Sequence, residues 1–249
     1  MTEFRPTRFQ ILPTVIKNLI IINVLVFLAQ NTLGKTFPIE DWFALHTFQS
    51  PLFKPWQFIT YMFLHGSLDH IFFNMFALWM FGSILENLWG PKRFINFYLI
   101  SGLGAALLHM LVLYFENQQM LNAYNALQMG TSDYGQVLNF INKYGAGRMA
   151  PPDQIAALRI NEATLGASGA VFGCLAAFGY LFPNTYIYLY FFIPVKAKWF
   201  VIFYAGFELY STIKSSAGDN VAHLAHLGGA AVGFLLVYFW NKTNKKTFY

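Results

Sequence analysis

The sequence predicts an all-α membrane protein, a bundle of six transmembrane helices with both termini on the cytoplasmic side. Three observations carry that expectation. Of 249 residues, 56% are hydrophobic and only 11% are charged, against roughly 25% charged in a soluble domain. Apolar runs free of Asp, Glu, Lys and Arg recur at membrane-crossing length. The Lys and Arg residues collect unevenly in alternate loops. The single cysteine, Cys174, sits inside an apolar run, so no internal disulfide can form. The net charge of +5 comes from cations scattered singly between those runs. No basic stripe tracks a phosphate backbone, so no nucleic-acid partner is expected.

The charge-free stretches run 18–34, 70–85, 94–115, 163–195 and 220–241, with a sixth at 199–213 broken only by Glu208. The run 163–195 is too long for one crossing, and Pro183-Asn184 divides it. The segment after this break, "TYIYLYFFIP", reads as an aromatic stretch at the membrane interface. The predicted spans are therefore 16–33, 70–88, 94–115, 165–182, 198–213 and 222–240, within a single domain 1–249. One side of such a bundle collects ten cations: Arg5, Arg8, Lys17, Lys92, Arg93, Lys196, Lys198, Lys242, Lys245 and Lys246. The other side has six, three of them in a long outer loop spanning 116–163. The positive-inside rule then places both termini in the cytoplasm. The Phe-, Trp- and Pro-rich stretch 35–57 is expected half-sunk among headgroups, and "PPDQIAALRINEA" reads as a short helix after its prolines.

With this topology, four polar side chains from three helices fall at one depth, on the order of 6–10 Å below the outer interface. They are His70 and Asn74 on the second span, Ser168 on the fourth and His226 on the sixth. Gly169 and Gly173 form a GxxxG pair, as do Gly229 and Gly233, and such pairs let helix backbones approach closely. His226 shares a face with Gly229 and Gly233. If that face meets the fourth span near Gly169, the imidazole reaches Ser168 and can take its proton. His70 and Asn74, at i and i+4, can both donate to a developing oxyanion.

Plainer explanations compete. A lone serine in a Gly/Ala-rich helix is ordinarily packing, and an intramembrane Asn often only bonds across helices. "HLAH", with His223 and His226 on one face, has metal-pair spacing, but HExxH is missing and no carboxylate is expected in the outer halves of these spans. Paired haem ligands would recur at matched depths, whereas His65 and His70 cluster at one end and His109 has no evident partner. A transporter would need a polar path through inner halves that are nearly all apolar. Neither metal nor cofactor is expected.

The motifs resemble those of the rhomboid intramembrane serine proteases. "GASG" (Gly166 to Gly169) is similar to the family's GxSG, "AHLGGAAVG" (Ala225 to Gly233) to its AHxxGxxxG, and "HGSLDHIFFN" (His65 to Asn74) to its HxxxxHxxxN. The resemblance covers roughly 55 to 240. It implies Ser168 as nucleophile, His226 as general base and acid, and His70, Asn74 and the Ser168 backbone amide as the oxyanion hole. Gly166, Gly169, Gly173, Gly229 and Gly233 are expected at close helix contacts. "GSILE" (Gly82 to Glu86) matches a structural GxxxE, which keeps Glu86 out of the site. Two departures stand out: Gln57 follows Trp56 where the pattern has Trp-Arg, and Phe172 stands where some members carry Tyr.

With no acid expected near His226, the implied machinery is a Ser-His dyad, with His223 a neighbour. Residues 215–221 would form a movable cap above it. The implied function is cleavage of transmembrane protein substrates within the lipid bilayer. The alternative is a silent relative that binds membrane helices and governs their traffic. A bacterial inner membrane, with the site facing outward, is the expected location.

Overall fold

The computed structural model describes residues 9–145, 150–189, 192–214 and 219–243. Arg5, Arg8, Arg148, Lys245 and Lys246, and residues 215–218 of the expected cap, lie outside the described residues. Helix α1 (Thr14–Leu33) is anchored at its start by a distant carboxylate. Glu86, itself buried, accepts the N–H groups of Val15 and Ile16 at 2.9 Å each. An anion at the positive end of a helix satisfies N–H groups that have no partner within the helix. Glu86 is thus a cap for α1.

The stretch 35–57 folds around α2 (Ile39–Phe43) and leads into α3 (Gln57–Thr60) and a tight 3₁₀ turn, Tyr61–Phe63. Gln57 is fully buried and ties this loop together. Its Oε1 accepts from the N–H of His46 (3.2 Å) and Lys54 (3.1 Å), and its Nε2 donates to the carbonyls of Asp41 (3.1 Å), Trp42 (3.4 Å) and Leu52 (2.9 Å). The Trp56 ring stacks on Trp42 and donates to its carbonyl at 2.9 Å.

Helix α4 (Leu68–Ala77) starts at Ser67, whose hydroxyl accepts the His70 N–H. It continues through a π turn, Leu78–Gly82, into α5 (Ser83–Trp89). Gly90, at φ +78°, then turns the chain so that Pro91 opens α6 (Pro91–Gln128). Left-handed φ suits glycine, and proline at the first helical position sacrifices no hydrogen bond.

The segment 116–163, expected as a long outer loop with one short helix after its prolines, is largely helical. Helix α6 continues without a break to Gln128, and the rest of the segment holds α7 (Tyr134–Tyr144) and α8 (Pro152–Ile160). Glu116 ends the apolar run but not the helix, because the residues beyond it are mostly good helix formers. Met120, Phe140, Tyr144, Ile155 and Ala156 bury one another in a small core of their own.

Helix α9 (Ser168–Leu181) is enclosed by the rest of the bundle. After it, the aromatic stretch forms a hairpin, β1 (Tyr186–Leu189) antiparallel to β2 (Ile193–Lys196), so the all-α expectation acquires a two-stranded ribbon. Alternating Tyr and Ile after a Pro-Asn turn suit a strand better than a helix. Helices α10 (Ala197–Lys214) and α11 (Asp219–Thr243) follow. Among the described residues, four helical segments are long and apolar enough to cross a membrane: Thr14–Leu33, Leu68–Trp89, Pro91–Gln128 and His223–Lys242. Helix α9 is apolar but 14 residues long. Large apolar side chains such as Leu25, Phe73 and Phe203 face outward, as lipid contact requires.

Candidate active site

The site begins where α9 and α11 touch. A β-carbon added to Gly229 would stand 1.9 Å from the carbonyl oxygen of Gly169, and one on Gly233 would stand 2.6 Å from the Gly173 Cα. The two GxxxG faces lie backbone against backbone. A β-carbon on Gly169 or Gly173 would also strike Ala105 or Ser101 of α6. One turn from Gly229, His226 then meets the first residue of α9. Its Nε2 lies 2.9 Å from Ser168 Oγ. Phe172 stacks flat on the imidazole, with ring centroids 4.3 Å apart and planes inclined by 6°.

The second nitrogen of that ring has an acid partner. His226 Nδ1 lies 3.1 Å from Glu208 Oε2, and His223 Nδ1 lies 2.6 Å from the same oxygen. Two expectations are corrected by this geometry: that no carboxylate stands near the histidines, and that nothing acidic orients His226. Glu208 comes from α10, is buried, and points its side chain at α11. In the sequence it appears only as the interruption of an apolar run. Its signal is the cost of burying a carboxylate inside an apolar helix, which demands a partner. The contacts define one tautomer for His226, with Nδ1–H donating to Glu208 and Nε2 accepting from the Ser168 hydroxyl. Glu208, His223 and His226 place three ligand-type atoms within 4.8 Å of one another. Ligands sharing one tetrahedral zinc are about 3.3 Å apart, by the usual Zn–N lengths. The separations of 2.6 and 3.1 Å here are those of hydrogen bonds.

The segment leading to Ser168 is pinned on one side. Leu45 and Thr164 exchange two backbone hydrogen bonds (2.8 and 2.9 Å), and the Gly166 N–H donates to the Tyr61 carbonyl at 2.9 Å. His109, without a legible partner in the sequence, meets the Thr164 hydroxyl. Gly166 adopts φ +129°, and a β-carbon there would come within 2.8 Å of the His70 ring. The expectation of a helix-packing role for Gly166 is therefore corrected: its constraint is a turn that residues with a side chain rarely adopt, in contact with an imidazole. Ser168 opens α9, and the first helical bond runs from the Val171 N–H to the Ala167 carbonyl at 3.1 Å. The N–H of Ser168 precedes it and has no helical acceptor.

His70 Nδ1 faces the Gly66 N–H at 3.4 Å, which leaves Nε2 as the protonated nitrogen on the side of Gly166. The two rings of His65 and His70 sit edge to face, 5.0 Å apart. Burial, with the neighbouring His70 second, pushes the His65 imidazole down to about 4, so it is neutral at physiological pH. Asn74 is buried and turns its Nδ2 back to the His70 carbonyl at 2.9 Å, so the carboxamide bonds within its own helix.

The chain matches the rhomboid domain family over residues 52–242. It is 28% identical to RHOMBOID-like protein 12, mitochondrial, of Arabidopsis thaliana, over 94% of this chain and 60% of that protein. It is 27% identical to Rhomboid protein 1, mitochondrial, of Saccharomyces cerevisiae, over 74% of this chain and 41% of that protein. The Rhomboid protease GlpG of Klebsiella pneumoniae shares 33% identity over 34% of this chain and 30% of that protein. The chain thus spans less than two thirds of the length of these curated relatives. The expected bacterial inner membrane is overturned by the same matches: those that run nearly the whole chain carry mitochondrial or chloroplastic names. Lys and Arg asymmetry orients a protein in a membrane without saying which membrane it is. In sequence and in family, the chain belongs to the rhomboids.

Proposed function

We propose that this chain is an intramembrane serine endopeptidase that cuts transmembrane segments of other membrane proteins. The observation that supports it is the 2.9 Å contact between Ser168 Oγ and His226 Nε2, from helices far apart in sequence, with the imidazole stacked and held in one tautomer. Ser168 Oγ attacks a peptide carbonyl while its proton passes to Nε2. The tetrahedral oxyanion takes the Ser168 N–H and His70 Nε2–H, with Asn74 beside them. Collapse breaks the C–N bond, and Nε2 returns the proton to the leaving amine. Water then attacks the acyl ester, giving a proton to Nε2; as the C–Oγ bond breaks, Nε2 passes that proton to Ser168 Oγ, releasing a carboxylic acid product and the regenerated serine. A substrate helix hides its carbonyls in internal hydrogen bonds, so the scissile segment must be extended, which favours substrates with Gly, Pro or polar residues near the interface.

Six crossings, with α9 and α10 completing the bundle, both termini on one side of the membrane and one domain over 1–249, belong to this proposal, as does an organellar membrane. The test is cleavage of single-span reporters in liposomes by wild type, Ser168→Ala and His226→Ala, alongside labelling by a fluorophosphonate. Wild type should cut and label, and both variants should be silent. Cleavage by Ser168→Ala would sink the assignment. A folded wild type that neither cuts nor labels would make the chain a silent binder of membrane helices.

A further inference from the structure

We propose that Glu208 is a positioning residue for this chemistry, completing a Ser168–His226–Glu208 relay in which His223 shares the carboxylate. The inference rests on the peptidase reading and extends it. A serine-histidine pair needs its imidazole held in one orientation and one tautomer, because only Nε2 free of hydrogen can take the serine proton. Stacking on Phe172 sets the plane of the ring but leaves its rotation within that plane and its tautomer open. The Oε2 atom of Glu208, 3.1 Å from Nδ1, determines both.

The arrangement also answers how a buried carboxylate is tolerated. Glu208 is 3% exposed on a helix whose neighbours Phe203 and Phe207 face outward. An ionised carboxylate there requires donors. It has two, the Nδ1–H groups of His223 and His226, at 2.6 and 3.1 Å. These come from α11, one turn apart, so the carboxylate ties α10 to the face of α11 that carries the base. When the serine proton reaches Nε2, the ring becomes a cation beside the anion. The proton on Nδ1 stays where it is, and the carboxylate stays ionised. His223 divides the acceptor oxygen and weakens its hold on His226. The other groups facing this pair are Tyr204 on α10, Ser168 and Phe172 on α9, and His70 on α4.

The experiment is reporter cleavage in liposomes from about pH 5 to about pH 9, by wild type, Glu208→Gln, Glu208→Asp and His223→Phe, with Ser168→Ala as the zero. Glu208→Gln should lower kcat by about 10²- to 10⁴-fold with little change in KM, and slow fluorophosphonate labelling in parallel. Its acid limb should move to lower pH, because the anion that favours the protonated ring is gone. Glu208→Asp should recover part of the rate. His223→Phe should move the acid limb the other way, since the carboxylate then serves His226 alone. Glu208→Gln with wild-type kcat and an unmoved profile overturns the relay and leaves the peptidase reading intact. Wild type that neither cuts nor labels overturns both. If Glu208→Gln does not fold, His223→Phe decides, and an unmoved acid limb overturns the relay. A stoichiometric transition metal retained by purified wild type, with activity altered by EDTA, also overturns it, by making the cluster a metal site.

Discussion

Gly229→Ala is the smallest change that tests how the site is assembled. The added methyl would sit 1.9 Å from the Gly169 carbonyl oxygen and 2.6 Å from its carbonyl carbon. Both are backbone atoms, so no side chain can move aside. Ordinary contact begins near 3.4 Å, and α11 must therefore retreat from α9 by about 1.5 Å. Gly229 lies one turn from His226, and Gly169 adjoins Ser168, so the displacement is delivered to the reacting pair. Their 2.9 Å contact would open to about 4 Å, beyond hydrogen-bond reach. A misplacement of about 1 Å costs on the order of 10²-fold in rate, and overpacking adds about 1–3 kcal/mol of destabilisation. Reporter cleavage in liposomes and the fluorophosphonate labelling rate should both fall by about 100-fold or more, while the protein remains folded in detergent. Gly206→Ala is the control, because a β-carbon there meets nothing within 4 Å. It should leave both rates unchanged. Wild-type cleavage by Gly229→Ala would refute the claim that backbone contact at these glycines sets the Ser168–His226 distance.

Other perturbations reach different parts of the structure. Gln57→Leu removes five hydrogen bonds from a fully buried loop hub, which should lower unfolding stability in detergent by about 3 kcal/mol; an unchanged denaturation midpoint would contradict this. Gly166→Ala places a methyl 2.8 Å from the His70 ring at φ +129°, so reporter kcat should drop at least about tenfold, and wild-type kcat would show that neither the turn nor the His70 contact matters. His65 titrates near 4 when folded and near 6.5 when unfolded, so the unfolded chain binds its proton first. The stability this lends is complete above about pH 7 and falls by about 3 kcal/mol as pH drops through 6.5 to about 4. Comparing unfolding of wild type and His65→Leu across that window isolates the effect, and equal pH slopes would refute it.

Much of this was legible along the chain because it is local. Apolar runs mark α1, α4–α5, α6, α9, α10 and α11, since hydrocarbon tolerates little else at that length. The break after α9, at Pro183-Asn184, is set by neighbouring residues. GASG, the histidine-asparagine pair and the two GxxxG faces are likewise readable as spacing. The helical continuation past Glu116 was not, because a charge ends an apolar run without ending a helix whose stability comes from packing on α7 and α8.

By itself, then, the sequence determined that the chain is a helical membrane protein and which residues share each helix face. Only the tertiary structure decided which faces meet. It brought Glu208 of α10 to Nδ1 of His226, made Gly166 a turn against His70 rather than a helix contact, turned Asn74 back on its own helix, and gave Gln57 five backbone partners. The physical reason is that periodicity constrains the rotation of a helix about its own axis, while contact between helices depends on how closely their backbones can approach. Here that approach is set by glycines on α9 and α11 acting across more than fifty residues of chain.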